Sequence, residues 1–406
     1  MNNTLIFASE KEVRFGKLLK FIIPTYLTSL FNTVYTIIDG IFVSAYVGTN
    51  ALVAINIVYP IVNVLFGIAL AFAAGGSAVV ALHIGGGKKD AASRAFSASV
   101  IASMLVGGLV ALGVLLNLSG ILTLLGATPL TMRDCKIYAL WWLWGTPLMI
   151  GKELFPYFIR VDGSPTYSFA TALSGGVLNI VMDYVLVGRM QMGIRGAALA
   201  TIMGLALSTC MGIYYFLRKN KTFSFTLRGL SVKESLYCLV NGGSEFINQL
   251  AVAITTIVFN RTALAFAGED GVAAVSIIMY LQFLFIGVYS GFSIGIAPPL
   301  GWAYGEGKMD VCRKLERYAH RFFAIAPFVI YALTYFLASA GVSCFVERSN
   351  AVFPIAVTGM RIYGLGFLFS GINIFASVRM MAYGKGYFSG MITFLRSFAL
   401  FLESLI

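Results

Sequence analysis

Apolar positions along this chain come in long unbroken stretches, not in the alternation of a half-buried strand or the narrow stripe of a surface helix. In order they cover 18–47, 51–84, 95–118, 138–159, 167–187, 197–217, 236–266, 272–304, 322–345, 352–378 and 387 to the last residue. A helix needs about 20 apolar residues to cross the hydrocarbon core of a bilayer, so each stretch predicts one span and the chain predicts eleven. The first is far longer than the roughly 7–15 apolar residues of a cleaved signal, and no small-residue cleavage site follows it. It is expected to remain as a span.

Composition agrees with the pattern. Hydrophobic residues make up 59% of the chain and charged residues 11%, against roughly 45–50% and 25% in a soluble domain. The formal net charge of +12 would suit nucleic acid if the basic residues lay on one surface, but their placement follows the spans. With the amino end in the cytoplasm, the inside segments carry 20 of the 29 Lys and Arg, the outside loops six, and the spans Lys152, Arg361 and Arg396. Arg160 counts among the inside residues. The positive-inside rule therefore places the amino terminus in the cytoplasm and removes nucleic acid as a partner. The five cysteines stand alone, without metal-ligand or disulfide spacing, and read as packing residues.

The chain also repeats itself. Residues 48–90 align without a gap on 268–310, with ten of 43 positions identical, among them Gly48/Gly268, Gly67/Gly287, Gly75/Gly295, Gly85/Gly305, Gly87/Gly307, Lys88/Lys308 and Asp90/Asp310. Coinciding glycines mark shared bends or close helix contacts. Six spans separate the copies, so both face the same side of the membrane, as parallel repeats about an axis along the membrane normal. The expected organisation is an all-α integral membrane protein. It has an amino-terminal six-helix lobe over 1–221, a basic cytoplasmic linker over 222–234, and a carboxy-terminal lobe over 235–406 that holds five spans. The repeat predicts a twelfth span near position 417; either the sequence is truncated before it or the second lobe naturally lacks its last helix, and ending inside an apolar stretch favours truncation.

Ionisable and strongly polar side chains within spans are costly, about 2.5–3.5 kcal/mol on insertion scales, and tend to be functional. Asn32 and Asp39 are seven apart on the first span and share a face. Asn179 and Asp183 are four apart on the fifth, and Thr201 lies one turn into the sixth. Two carboxylates, amides and a hydroxyl offer a hard-oxygen pocket for a proton or Na⁺; the plainer alternative is solvated carboxylates near span ends. Lys152 and Glu153 are adjacent and expected to diverge by about 100° around their helix, with one of them, Glu153 included, lining the cavity. Glu245 is the acid placed to line the second lobe. Pro24 lacks an amide hydrogen and predicts a kink in the first span, which either moves with the site or stays fixed. Trp141, Trp142 and Trp144 read as an outer interfacial belt. GGGKKD at 85–90 lacks the GxxxxGK[ST] context of a phosphate loop and recurs as GEGKMD at 305–310, so it reads as a cytoplasmic turn. No nucleophile–base or metal-enzyme spacing is present in the sequence.

The early proline and Asp39 in the first span, NIVMD ending in Asp183, GAALAT containing Thr201, and the paired GxGKxD turns resemble the multidrug and toxic compound extrusion (MATE) family, in its DinF-like and MepA-like bacterial branch. The resemblance implies a V-shaped pair of lobes in the bacterial inner (plasma) membrane, acting as a monomer. It implies export of small cationic or amphipathic substrates by antiport against H⁺ or Na⁺, with no cofactor besides that ion. It places the cation site on Asp39, Asn179, Asp183 and Thr201, and matches Glu245 to an acid of the seventh span used by Na⁺-coupled members. Position 259 is Phe, so the second lobe lacks a counterpart of Asp39. A lipid-linked oligosaccharide flippase of the same superfamily would require a more basic cavity. An integral membrane acyltransferase would require a His/Asp pair at membrane depth.

Overall fold

The computed structural model describes residues 13–399 apart from 48, 219 and 220; within its helices the side chains of 33–34, 36–45, 49–52, 256–257, 260–261, 264, 269, 272 and 399 lie outside the description. Among the described residues the chain is helical and contains no strand. The amino-terminal lobe comprises α1 (Phe15–Tyr46), α2 (Thr49–Gly85), α3 (Lys89–Leu116), the short α4 (Leu118–Leu124), α5 (Met132–Trp144), α6 (Thr146–Val161), α7 (Pro165–Met182) with a π-helical extension (Asp183–Arg189), and α8 (Ile194–Leu217). The carboxy-terminal lobe comprises α9 (Val232–Asn241), α10 (Gly243–Gly305), α11 (Met309–Ser343), α12 (Val352–Tyr363), α13 (Phe367–Ala382) and α14 (Gly386–Phe394).

Seven helical stretches among the described residues are long and apolar enough to cross a bilayer. They coincide with the second, third, fifth, sixth, eighth, ninth and tenth apolar stretches; the first, seventh and last include residues outside the description. The fourth is two helices, α5 and α6, meeting at Gly145, where an added Cβ would stand 2.1 Å from Ile202. Along α3, Leu105, Leu109, Leu112 and Leu116 form one stripe, 52–80% exposed. Large aliphatic side chains in that periodicity, uncovered on a helix this apolar, are a lipid-facing surface. The protein is a multi-pass membrane protein.

The two lobes have separate interiors. Phe96, Phe158 and Phe223 belong to the amino-terminal core, whereas Tyr289, Phe292, Phe323, Phe367 and Phe375 belong to the carboxy-terminal one. Their junction follows the repeat. Gly85 of α2 lies so close to α10 that a Cβ would stand 2.1 Å from the carbonyl oxygen of Trp302, and Gly305 of α10 faces the carbonyl of Leu82 at the same distance. Residues 82 and 302 are equivalent in the repeat, as are 85 and 305. Gly75 meets Gly242 while Gly295 meets Ile22, a second reciprocal pair at the same spacing. Such reciprocity is what a two-fold axis between like surfaces produces. The first helix of each lobe thereby reaches the other: Leu18 and Ile22 of α1 are buried in the carboxy-terminal core, and Cys238 of α9 in the amino-terminal core, with Leu239 and Phe246 packed against it. In both GxGKxD turns the second glycine holds a left-handed φ, +72° at Gly87 and +79° at Gly307, a conformation most side chains resist.

Three expectations change. Trp142 is buried against Phe66, with ring centroids 5.9 Å apart, so only Trp141 and Trp144 remain on the surface. Arg160 is buried at the junction of the lobes instead of standing in a solvated loop. Lys152 and Glu153 do not diverge: their side chains meet, Nζ to Oε1, at 2.5 Å. At membrane depth two long opposite charges neutralise each other in preference to facing separate surroundings, and side-chain flexibility overrides the 100° between their Cα–Cβ bonds.

Candidate cation site

α7 carries the centre of the site. It packs on α8 through small residues: a Cβ on Gly204 would stand 2.6 Å from the Gly175 carbonyl and 3.0 Å from Cβ of Asn179. Its other side receives α1, where Gly176 leaves room for the Phe31 ring. Small residues at these crossings bring three backbones close and bury what lies between them. Asn179 and Asp183 project from the end of α7 one turn apart, 4% and 0% exposed.

Asn179 makes no side-chain hydrogen bond among the described residues, from either its oxygen or its nitrogen. A buried polar group is nearly always satisfied, and each exception calls for an explanation such as an ion. Asp183 is the first residue of the π-helical turn, and its own N–H reaches back to the carbonyls of Asn179 and Ile180. A π-turn widens the backbone and re-aims side chains, and occurs often at functional sites. Thr201 is half-buried on α8, its hydroxyl donating to the Ala197 carbonyl at 3.0 Å. Its oxygen lone pairs stay available to a cation. Asn32 is half-buried on α1, next to the Phe31 that packs on α7. Asp39 lies further along α1; its side chain falls outside the described residues. The structure therefore brings Asn179 and Asp183 together, with α1 and α8 packed on either side.

Pro24 lies within α1, where α1 crosses α10: Ile22 and Tyr26 fill the space left by Gly295 and Gly291. Proline cannot donate to the carbonyl four residues back, that of Lys20, and one turn further on the Thr28 hydroxyl also draws on the Pro24 carbonyl at 2.9 Å. The helix is weakened at its contact with the opposite lobe.

Between the lobes lies a cavity of about 20 Å³, room for a water molecule, lined by Ser77, Ala78 and Ala81 of α2, Tyr157 and Arg160 of α6, and Pro298 of α10. The Arg160 guanidinium lies over the Tyr157 ring, 4.3 Å from its centroid, and donates to the Ser168 hydroxyl at 3.4 Å. No carboxylate among the described residues lies within ion-pair distance of it. Sequence reading missed both Arg160 and Asn241. Asn241 Nδ2 donates to the Gly75 carbonyl at 3.2 Å and to the Met381 carbonyl at 3.1 Å, tying α9 to both lobes. The seventh apolar stretch does not run through this point: it breaks at Gly242 into α9 and α10, placing Glu245 on the first turn of α10.

Two lobes that exchange helices within the membrane, the first burying an amide and a carboxylate among its helices, form the architecture of a membrane transporter. The model of the MatE family matches residues 24–185 and again 245–401, and the chain belongs to that family. The two matches begin at the repeat spacing to within one residue. Among relatives, the multidrug export protein MepA of Staphylococcus saprophyticus is 25% identical over 92% of this chain and 84% of its own. That of Staphylococcus aureus is 22% identical over the same shares. The chain superimposes on a solved structure described as the outward-facing conformation of a multidrug resistance MATE family transporter of the MOP superfamily, with TM-score 0.90 at 22% identity, covering 98% of this chain and 88% of that one. A MOP-superfamily transporter from Pyrococcus furiosus, described as having a binding pocket of reversed polarity, superimposes with TM-score 0.88, also at 22% identity, over the same shares.

Proposed function

We propose that this protein exports small cationic or amphipathic compounds from the cytoplasm by antiport against H⁺ or Na⁺, acting as a monomer in the bacterial plasma membrane. The observation that carries the reading is the buried, unsatisfied amide of Asn179 one turn from the fully buried carboxylate of Asp183. Neutral amide and anionic carboxylate oxygens suit a small hard cation or a proton and suit nothing apolar. Membership of the MatE family and the multidrug export of the MepA relatives support the direction and the substrate class. With the amino terminus cytoplasmic, the lobes are closed on one another at the GxGKxD end, as an outward-open state requires. Cation binding at Asp39, Asn179, Asp183 and Thr201 favours a different packing of α1, which hinges at Pro24 and dismisses the substrate. For an uncharged substrate, one cation entering down 100 mV supplies about 2.3 kcal/mol, enough for a gradient of well over tenfold; for a monovalent cation exchanged one for one no net charge crosses, and the concentration gradient of the incoming ion does the work.

The test is substrate efflux from proteoliposomes under separately imposed pH and Na⁺ gradients. Asp39→Asn and Asp183→Asn are expected to lose gradient-driven efflux at least tenfold; undiminished efflux in both removes the site. The flippase reading gains Arg160 from the structure, but Glu153 neutralises Lys152, and a single arginine is little to hold a pyrophosphate.

A further inference from the structure

α3 and α11 are equivalent helices of the two lobes, beginning at Lys89 and Met309, each just after the positive-φ glycine of its GxGKxD turn. Their outer faces at that end differ. On α3 the linker lies across Ser93 and Ser97, whose hydroxyl oxygens accept from the amides of Ser224 at 3.1 Å and Thr226 at 2.8 Å, and Ser97 is buried. At the same repeat positions α11 carries Arg313 and Arg317, both exposed, and exposed Arg321 stands where α3 has Ile101. The three arginines are spaced four residues apart, about 6 Å along the axis at each step, and share a face. That face runs on into the apolar part of the helix through Ile325 and Phe328, 64% and 67% exposed. Glu316 is turned away from it, accepting from the Tyr383 hydroxyl at 2.6 Å and pairing with Arg379 at 3.5 Å. Lys308 pairs with Glu306, and Asp310, on the first turn of α11, is within ion-pair distance of none of the three arginines.

The chemistry of the two faces is opposite. A serine hydroxyl accepts from a backbone amide, as the linker shows on α3, whereas a guanidinium has five donors and no acceptor. A peptide strap laid on α11 in the same way would meet donors with donors. What a row of guanidinium groups suits is an oxyanion, and phosphate matches their planar fork best. The positive-inside bias asks only that basic residues lie on this side of the membrane and is indifferent to which face of a helix carries them. Here they head a stripe of uncovered apolar side chains. We propose that Arg313, Arg317 and Arg321 bind the headgroup of an anionic phospholipid of the cytoplasmic leaflet, with an acyl chain lying along Ile325 and Phe328. The order along the helix, cationic and then apolar, is the order of a phospholipid from headgroup to tail, which a free phosphate ion does not share. The proposal is independent of the antiport reading, because bound lipid is counted whether or not the protein transports.

The experiment is native mass spectrometry of the delipidated full chain in detergent, titrated with dioleoylphosphatidylglycerol or, at equal chain length, the zwitterionic dioleoylphosphatidylcholine. The parent is expected to bind the anionic lipid more tightly, by a factor of about five for each arginine engaged, the usual strength of a basic residue against an anionic membrane surface. Arg317→Gln combined with Arg321→Gln is expected to lose that preference by about tenfold or more. Arg218→Gln combined with Arg228→Gln removes the same charge from the linker end of the other lobe and is expected to keep it. Equal loss in both double variants would mean a diffuse charge effect and overturn the proposal, as would a parent without preference between the lipids. Displacement of the lipid by an equimolar amount of inorganic phosphate would also overturn it, leaving a site for the free ion. Should the first double variant fail to give monodisperse protein, the single changes Arg317→Gln and Arg321→Gln decide. Each is expected to weaken the preference at least twofold, and no change in either overturns the proposal.

Discussion

Asn179 separates two costs that usually travel together. An amide buried without partners lowers the stability of the empty protein, and replacing such a group by an apolar one of similar size is nearly neutral or stabilising. Asn179→Leu is therefore expected to hold or raise the melting temperature in detergent by a degree or two while reducing ion-driven efflux at least tenfold. A fall in both together would mark Asn179 as a packing residue instead. Residue identity made Asn179, Asp183 and Thr201 legible in the sequence, because polar side chains in an apolar stretch stand out by composition alone. Arg160 was not, because it lies three residues from a turn and counts as a loop residue until packing shows that the opposite lobe covers it. Lys152 and Glu153 were visible as charges, but their mutual bond depends on side-chain rotamers that spacing does not encode.

At the scale of helices, the close approaches at Gly85 and Gly305 make a prediction with built-in symmetry. At each, a methyl group would collide with backbone, Trp302 in one case and Leu82 in the other, and backbone yields less readily than a side chain. Gly85→Ala and Gly305→Ala are expected to destabilise by similar amounts, about 1–3 kcal/mol for overpacking of this kind. Thermal unfolding of each in detergent reads this, and a large loss in one with none in the other would contradict the two-fold relation. The spans themselves were legible from length and hydropathy. Their internal breaks were less so: Gly145 and Gly242 interrupt apolar stretches at points where Ile202 and Ala71 of other helices come close, and Thr146 and Asn241 beside them do not by themselves distinguish a break from a continuous span. The π-turn at Asp183 likewise leaves no trace in periodicity.

For the molecule as a whole, duplication was the most readable feature, since identical glycines 220 residues apart survive where the side chains around them have changed. What the repeat did not announce is the exchange of first helices between lobes, which seats Leu18 and Ile22 in the far core. That exchange shares stability between the halves and leaves each incomplete alone. The segment joining them is mostly fastened down: the amide of Thr222 donates to Asp162 Oδ1 at 2.9 Å, those of Ser224 and Thr226 donate to Ser93 Oγ at 3.1 Å and Ser97 Oγ at 2.8 Å, and Phe223 is buried among Phe96, Phe158 and Phe216. Little of the covalent bridge is then left to do any holding. A gene cut in two after Arg228, its products made as separate polypeptides in one cell, should yield partners that co-purify and still move substrate; failure of the pieces to find each other would mean that continuity of the chain, not the swapped embrace of the helices, keeps this transporter whole.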